Sequence, residues 1–135
     1  MDRKCKVSIV TVCLNSKDTI EKAMKSVLEQ SYQDIEYIII DGGSTDGTID
    51  IIKKYEAQIA YWVSEPDQGI YYAMNKGIKK ATGELIAFLS SNDWYEEGAL
   101  SKIVETYLET KSDVIYGDVT FVDGNKKKRE NYEEA

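Results

Sequence analysis

Three polar clusters contain the residues best suited to chemistry, and each follows directly on an apolar run. They are Asn15-Ser16, Asp41 to Thr48, and Ser90 to Asp93. The second cluster, written DGGSTDGT, combines two carboxylates and small hydroxyl residues with three glycines. Glycines let a backbone approach a ligand closely, and a carboxylate suits a hard, oxygen-bound cation such as magnesium or manganese. The clusters therefore predict a ligand site made of loops.

Several familiar chemistries are excluded by what the sequence lacks. The chain has no histidine, which removes the commonest general base and metal ligand and, with it, the acyl-transfer triads. Neither the Gly-x-Gly-x-x-Gly nor the Gly-Lys-Ser/Thr phosphate motif is present, which disfavours a redox Rossmann domain and a P-loop enzyme. The two cysteines match neither a disulfide framework nor a metal cluster, and Cys13 is expected to be a buried thiol in a reduced compartment.

The charge of the chain also limits its partners. With 17 basic and 24 acidic residues, the formal net charge is -7, which disfavours nucleic acid as a partner. The same charge would repel a phosphorylated ligand unless a cation or backbone N–H groups receive the phosphate. No signal sequence or membrane span is visible in the sequence. We therefore expect a cytoplasmic location and no membrane contact through these residues.

The elements that must position the clusters alternate between strands and helices. The predicted strands are Val7 to Leu14, Ile35 to Ile40, Ile59 to Val63, Leu85 to Leu89, Asp113 to Tyr116 and Val119 to Val122, with Lys126 to Arg129 as a solvated edge strand or a frayed end. Apolar stripes at helical spacing predict helices after Asp18, after Asp46, from Ile70 to Ala81 and from Leu100 to Leu108. This alternation predicts one α/β domain over residues 1–135, with a mostly parallel sheet covered by helices on both faces. Ligands in such sheets bind beyond the carboxyl ends of the strands, where the polar clusters lie.

Some of the candidate residues also suit a purely structural role. Asp46 is expected to cap the second helix, and Trp94 and Tyr95 are expected to be packing residues. For Asp41 the residues leave a ligand contact and a turn equally open. Asp93 is assigned to function, because it follows a short apolar strand and a small polar triplet on the same edge as Asp41.

Four motifs resemble those of one known family. They occur in order from about Val7 to Tyr116 and read SIVTVCLNS, IIIDGGSTDGT, SEPDQGIYYAMNKGIKKATGE and LIAFLSSNDWY. Together they resemble the family-two glycosyltransferases, which have the GT-A fold, a Rossmann-like α/β architecture. The resemblance implies an enzyme that takes a sugar from a nucleoside-diphosphate sugar and passes it to an acceptor hydroxyl with inversion, in polysaccharide or cell-surface glycan synthesis.

The resemblance also implies roles for individual residues. It places nine of them at the nucleotide-sugar substrate: Thr11, Val12, Cys13, Asn15, Asp41, Gly42, Met74, Ser91 and Asn92. Asp93 is the implied ligand of a magnesium or manganese ion, in the region that the family commonly writes Asp-x-Asp. Three positions depart from the family pattern. Gly42 replaces the second acid of an Asp-Asp pair that commonly contacts the base, Met74 stands where many members have an arginine near the diphosphate, and only Asp93 keeps a carboxylate in the metal region.

The resemblance leaves the acceptor half of the reaction outside the recognised motifs. The catalytic base is expected beyond Ala135, so no residue is nominated for it, and the chain is expected to be the nucleotide-binding portion of a longer enzyme, inactive in sugar transfer by itself. The acceptor is expected to be a glycan or a lipid-linked molecule, which could bring the protein to a membrane. A sugar-phosphate nucleotidyltransferase and a non-catalytic nucleotide-binding module remain the alternatives.

Overall fold

The computed structural model describes residues 5–110, and the backbone of residues 119–123 and 126–130. The chain divides into two compact units, Met1–Gly98 and Ala99–Ala135. The predicted strand at residues 113–116 lies outside the described residues.

A four-stranded parallel sheet forms the centre of the first unit. Its strands are β1 (Val7–Cys13), β2 (Ile35–Asp41), β3 (Tyr61–Ser64) and β4 (Leu85–Phe88), in the spatial order β3-β2-β1-β4. Val7 at the start of β1 is level with Ile35 of β2 and Leu85 of β4, so the three strands begin together. The central strands β1 and β2 are buried along most of their length, as their runs of valine and isoleucine predict.

Three helices and one short 3₁₀ turn connect the strands. They are α1 (Ile20–Leu28), α2 (Thr48–Lys54), the turn Glu56–Gln58 and α3 (Ile70–Lys80). The β1-α1-β2 and β2-α2-β3 connections step in one direction across the sheet, whereas β3-α3-β4 steps back past β1 and β2. Right-handed crossovers therefore place α1 and α2 on one face and α3 on the other. The predicted α/β fold with helices on both faces is confirmed.

Helix α3 is less buried than its apolar stripe predicts. Only Ala73 and Gly77 are buried, while Ile70 and Ile78 are 57% and 43% exposed. The cause is a close approach of the helix to the sheet, because a Cβ atom on Gly77 would lie 2.4 Å from Cγ1 of Val10. The helix meets the sheet through its smallest residues, and its larger apolar side chains lie to the sides of that contact.

Strand β4 was predicted as an apolar strand of a sheet covered on both faces, but it is only partly buried. Ile86 and Phe88 are each 42% exposed, because β4 is the last strand of the described sheet and pairs there with β1 alone. The predicted helix caps also need correction. The N-cap of α2 is Gly47, which has a left-handed φ of 108°, rather than Asp46, and that of α1 is Thr19.

The second unit contains one helix and a pair of strands in its described part. Helix α4 (Ala99–Thr110) buries Leu100 and Val104, in agreement with its predicted stripe. Strands β5 (Val119–Asp123) and β6 (Lys126–Glu130) pair in antiparallel register, so the basic run belongs to a strand. Among the described helices, none is both long enough and apolar enough to cross a bilayer.

Candidate nucleotide-sugar site

The carboxyl ends of β1, β2 and β4 bring the three polar clusters to one edge of the sheet. Strands β1 and β4 are neighbours, yet the connections that involve them lie on opposite faces, which is the position where α/β sheets form their ligand crevice. The clusters are in direct contact there. The hydroxyls of Ser16 and Ser91 share a hydrogen bond of 2.8 Å, and the Thr19 hydroxyl donates to Asn92 Oδ1 at 3.0 Å. The predicted convergence of the clusters is confirmed.

Asp41 shapes the loop that follows β2. Its side chain is fully buried, and Oδ2 accepts hydrogen bonds from the N–H groups of Gly43 and Ser44 and from the Ser64 hydroxyl, at 3.0, 2.8 and 2.7 Å. Oδ1 accepts from the Ser44 hydroxyl at 2.5 Å and from the Cys13 thiol at 3.3 Å. Burial alone would raise the pKa of Asp41, but these hydrogen bonds together lower it. The carboxylate holds the turn, and a direct bond to a ligand would compete with these partners.

The loop after β1 is tied to the loop after β2 by bonds in both directions. The Asn15 N–H donates to the Ser44 hydroxyl at 2.7 Å, and Asn15 Oδ1 accepts from the Thr45 N–H at 2.8 Å. The Ser16 N–H donates to the Thr48 hydroxyl at 2.8 Å. Asn15 has a φ of 50°, a left-handed conformation that asparagine tolerates better than most residues do.

Asp46 reinforces the same junction. Its Oδ1 accepts from both the N–H and the hydroxyl of Thr48, at 3.0 and 2.6 Å, and its Oδ2 accepts from the Lys17 N–H at 3.2 Å. The N-cap of α2 is Gly47, so the prediction that Asp46 caps this helix is wrong, but the Asp46 carboxylate does satisfy the first backbone donor of α2, the Thr48 N–H.

The predicted site residues at the end of β1 direct their side chains into the protein. Thr11 is buried and shares a hydrogen bond of 2.8 Å with the Tyr37 hydroxyl. Val12 is half-buried against the core cluster beneath α3. Burial raises the pKa of the Cys13 thiol far above its ordinary value, and the nearby Asp41 carboxylate raises it further, so the thiol stays protonated. These residues form the floor of the crevice.

The segment after β4 has a buried end and an exposed end. Ser91 is buried, whereas Asn92 and Asp93 are exposed. The Asp93 N–H donates to the Ser90 carbonyl at 3.0 Å, but its carboxylate has no partner among the described residues. No group of three acidic, cysteine or histidine side chains within the described residues could enclose a metal. A single exposed carboxylate does fit a magnesium or manganese ion that takes its remaining ligands from phosphates and waters.

The β3–α3 loop contributes a carboxylate that the sequence analysis did not nominate. Asp67 lies against Gly42, so that a Cβ on Gly42 would be 3.2 Å from Asp67 Oδ2. Met74, the remaining predicted site residue, is half-buried on α3. Proximity of the two loops could not be read from residue spacing, because Gly42 and Asp67 belong to different βα units.

Trp94 and Tyr95 differ in their surroundings. Burial raises the pKa of the Tyr95 hydroxyl to about 12, in agreement with the predicted packing role. Trp94 is 37% exposed, and the Lys22 ammonium lies 3.6 Å from the centroid of its ring, a cation–π contact. Both line a cleft of about 730 Å³ beside α1.

Comparison with known proteins identifies relatives of this fold and sequence. TuaG of Bacillus subtilis (strain 168), a putative teichuronic acid biosynthesis glycosyltransferase, is 40% identical over 106 residues, which are 76% of this chain and 42% of TuaG. The structure of S. aureus TarS 1-349 in complex with UDP-GlcNAc matches with a TM-score of 0.75 and 26% identity, covering 80% of this chain and 32% of that one. The mannosyltransferase PcManGT from Pyrobaculum calidifontis, in complex with GDP-Man and Mn²⁺, matches in fold with a TM-score of 0.72 and 23% identity, covering 78% of this chain and 33% of that one.

The match to the family extends over nearly the whole sequence. The chain spans about a third to a half of the length of the curated relatives it matches. Residues 8–135 match the family described as Glycosyl transferase family 2, which confirms the resemblance of the four motifs. The chain therefore belongs to glycosyl transferase family 2.

Proposed function

We propose that the polar edge of the sheet binds the nucleoside-diphosphate part of a sugar donor. In this proposal the enzyme to which the domain belongs transfers the sugar to an acceptor hydroxyl with inversion. The observation that carries the proposal is the convergence of three cross-bonded loops at the β1–β4 crevice, with the Asp93 carboxylate left without a partner among residues 5–110.

Asp93 addresses the conflict between an acidic protein and an anionic donor. The chain has a formal net charge of -7, so a diphosphate would be repelled if nothing compensated for its charge. Asp93 would hold a magnesium or manganese ion, which supplies Lewis-acid stabilisation to the leaving diphosphate. The neighbouring Ser91 and Asn92 position this segment by bonding to Ser16 and Thr19, so the carboxylate is presented from a fixed turn.

The cross-bonded loops would make donor binding less costly in entropy. Asn15, Ser44 and Thr48 hold the β1 and β2 loops together through hydrogen bonds within the protein. Binding to a loop that is ordered beforehand avoids the ordering cost that a mobile loop would incur. Asp41 serves the same purpose in this proposal, since it fixes the loop backbone rather than contacting the donor.

The relatives support this assignment and suggest the biological product. TarS has been crystallised with UDP-GlcNAc, and TuaG is named for teichuronic acid biosynthesis. We therefore propose a nucleotide-sugar donor and a role in polysaccharide or cell-surface glycan synthesis. Inverting transfer also needs a carboxylate beside the acceptor to take its proton, and we assign that role to none of the described residues.

Titration calorimetry on the 135-residue chain tests the donor site. UDP, GDP and dTDP would each be titrated with Mg²⁺, with Mn²⁺ and with EDTA. We expect at least one nucleotide to bind, and the metal to strengthen that binding. Absence of binding to all three by a folded sample would refute the proposal.

Substitution of Asp93 tests the metal ligand separately. Asp93→Asn should remove most of the metal-dependent gain in affinity and change the free energy of unfolding by less than about 1 kcal/mol, because the side chain is exposed. Glu29→Gln is the matched control, since it neutralises an exposed carboxylate at the far end of α1. If both variants lost nucleotide affinity equally, Asp93 would act only through its contribution to the net charge and not as a metal ligand.

A further inference from the structure

Asp67 occupies the space that a side chain at position 42 would fill. Gly42 is the first residue beyond β2, and its N–H donates to the Cys13 carbonyl at 2.9 Å, so it lies level with the floor of the crevice. A Cβ on Gly42 would be 3.2 Å from Oδ2 and 3.5 Å from Oδ1 of Asp67. The carboxylate therefore reaches the ligand edge from a different loop.

The loop that carries Asp67 is held in place on both sides. The Glu65 N–H donates to the Asp41 carbonyl at 3.0 Å, and a Cβ on Gly43 would lie 3.4 Å from the Pro66 nitrogen. Asp67 Oδ1 accepts from the Gly69 N–H at 3.1 Å. Oδ2 receives no hydrogen bond from any residue that the structure describes. One oxygen fixes the side chain, and the other is available to a ligand.

We propose that Asp67 selects the base of the donor nucleotide by accepting a hydrogen bond from a ring N–H group. The inference rests on the proposed donor site. Uracil, thymine and guanine carry such an N–H on their pairing edge, whereas cytosine and adenine present a bare ring nitrogen there. A carboxylate only accepts hydrogen bonds, so it favours the first three bases and repels the acceptor nitrogen of the other two.

The position of Asp67 relative to Asp93 suits a base rather than a phosphate. Strands β4 and β2 are separated by β1, and two strand spacings amount to roughly 10 Å. A metal-bound diphosphate at Asp93 would leave the nucleoside to extend toward β2. A second carboxylate without a cation repels phosphate. The part of the donor that contacts Asp67 is therefore the uncharged base.

A comparison of five nucleotides tests the proposal. Affinities of the wild-type chain for UDP, dTDP, GDP, CDP and ADP would be measured by calorimetry with Mg²⁺ present. We expect at least one of the first three to bind at least about tenfold more tightly than CDP and ADP. Asp67→Ala should lower the affinity for that nucleotide by about 10- to 100-fold, the range of a hydrogen bond to a charged group, and leave CDP and ADP nearly unchanged.

Two further variants separate this role from a general effect on the loop. Glu65→Gln is the matched control, because Glu65 is an exposed carboxylate two positions earlier that pairs with Lys76 at 2.8 Å. It should leave the base preference intact. The double variant Gly42→Asp with Asp67→Ala returns a carboxylate to the same place from β2. Gly42 lies outside the left-handed φ region, so a side chain is tolerated there, and the double variant should recover much of the lost preference.

The outcomes distinguish the inference from the proposed function. Binding of all five nucleotides with similar affinity, or an equal loss for all five in Asp67→Ala, would overturn base selection by Asp67 and leave the donor site standing. A wild-type chain that binds none of them would overturn both. Circular dichroism spectra of each variant would confirm that it is folded.

Discussion

Replacement of Asp41 should reveal that its carboxylate stabilises the protein. In Asp41→Ala the N–H groups of Gly43 and Ser44 lose their acceptor. An unsatisfied buried donor costs about 1–3 kcal/mol. The Ser44 N–H is buried and the Gly43 N–H is partly buried, so we expect the free energy of unfolding to fall by about 2–4 kcal/mol.

Asp41→Asn should cost much less, because an amide keeps one acceptor. Its oxygen must take the Oδ2 position, since Gly43 and Ser44 can only donate there. Its NH₂ group then meets the Ser44 hydroxyl and the Cys13 thiol, which can rotate to accept. The remaining cost arises because the hydrogen bonds then have a neutral acceptor instead of a charged one. We expect this to lower the free energy of unfolding by about 1–2 kcal/mol.

Urea denaturation followed by circular dichroism would measure both variants. Asp18→Asn, an exposed carboxylate at the same edge, serves as the control. The pKa of Asp41 lies below its ordinary value of 3.8, so the charge contributes stability above that pH and loses it as the pH falls through the lowered pKa. The gap between wild type and Asp41→Asn should therefore narrow below about pH 4. Equal losses in the Ala and Asn variants, or a loss under about 1 kcal/mol in both, would refute this account of the loop.

Three further predictions concern the sheet. Burial alone would raise the pKa of Glu36, but hydrogen bonds from Thr82 and Ser8, with the Lys6 ammonium, lower it from 4.5 to about 2. Wild type should therefore lose stability relative to Glu36→Gln as the pH falls across that interval. Urea titration at each pH would measure the difference in the free energy of unfolding. Gly77→Ala should destabilise the chain by about 1–3 kcal/mol, the usual cost of overpacking, as measured by thermal unfolding. A large-to-small change at Val10, the valine of β1 that contacts this position, should recover part of the loss. Cys13 should resist a thiol reagent in the native chain and react in guanidinium, because burial raises its pKa; rapid native labelling would contradict this.

The central strands and the order of elements could be predicted because their signals are local. Strand β2 is a continuous apolar run, and α1 has an apolar stripe of helical period, so each occupies the residues that its pattern indicates. The partial burial of β4 has a physical reason. An apolar run indicates only that a strand could be buried on both faces. Whether that strand lies at the edge of the described sheet depends on the other strands.

The site was predicted in outline and missed in detail for a similar reason. The carboxyl ends of parallel strands share an edge, so convergence of the clusters followed from the strand order. The bond from Asn15 to Ser44 and the contact between Gly42 and Asp67 join residues of different βα units. Hydrophobic periodicity and turn residues indicate only local conformation. Neither member of such a pair needs the other for its local conformation, so these signals do not predict the contact.

The bonds between the β1 and β2 loops have a consequence for the order in which the protein opens. The Asn15 and Ser16 N–H groups donate to side chains 29 and 32 positions away, at the start of the second βα unit. Loop amides commonly exchange with deuterium through local fluctuations, well before the core opens. Here the two amides are bonded to side chains of the next βα unit, so we expect them to exchange more slowly than ordinary loop amides. Exchange as slow as that of the core would make the polar edge and the hydrophobic core one cooperative unit, and a variant that weakens the core would then lose the donor site in the same transition.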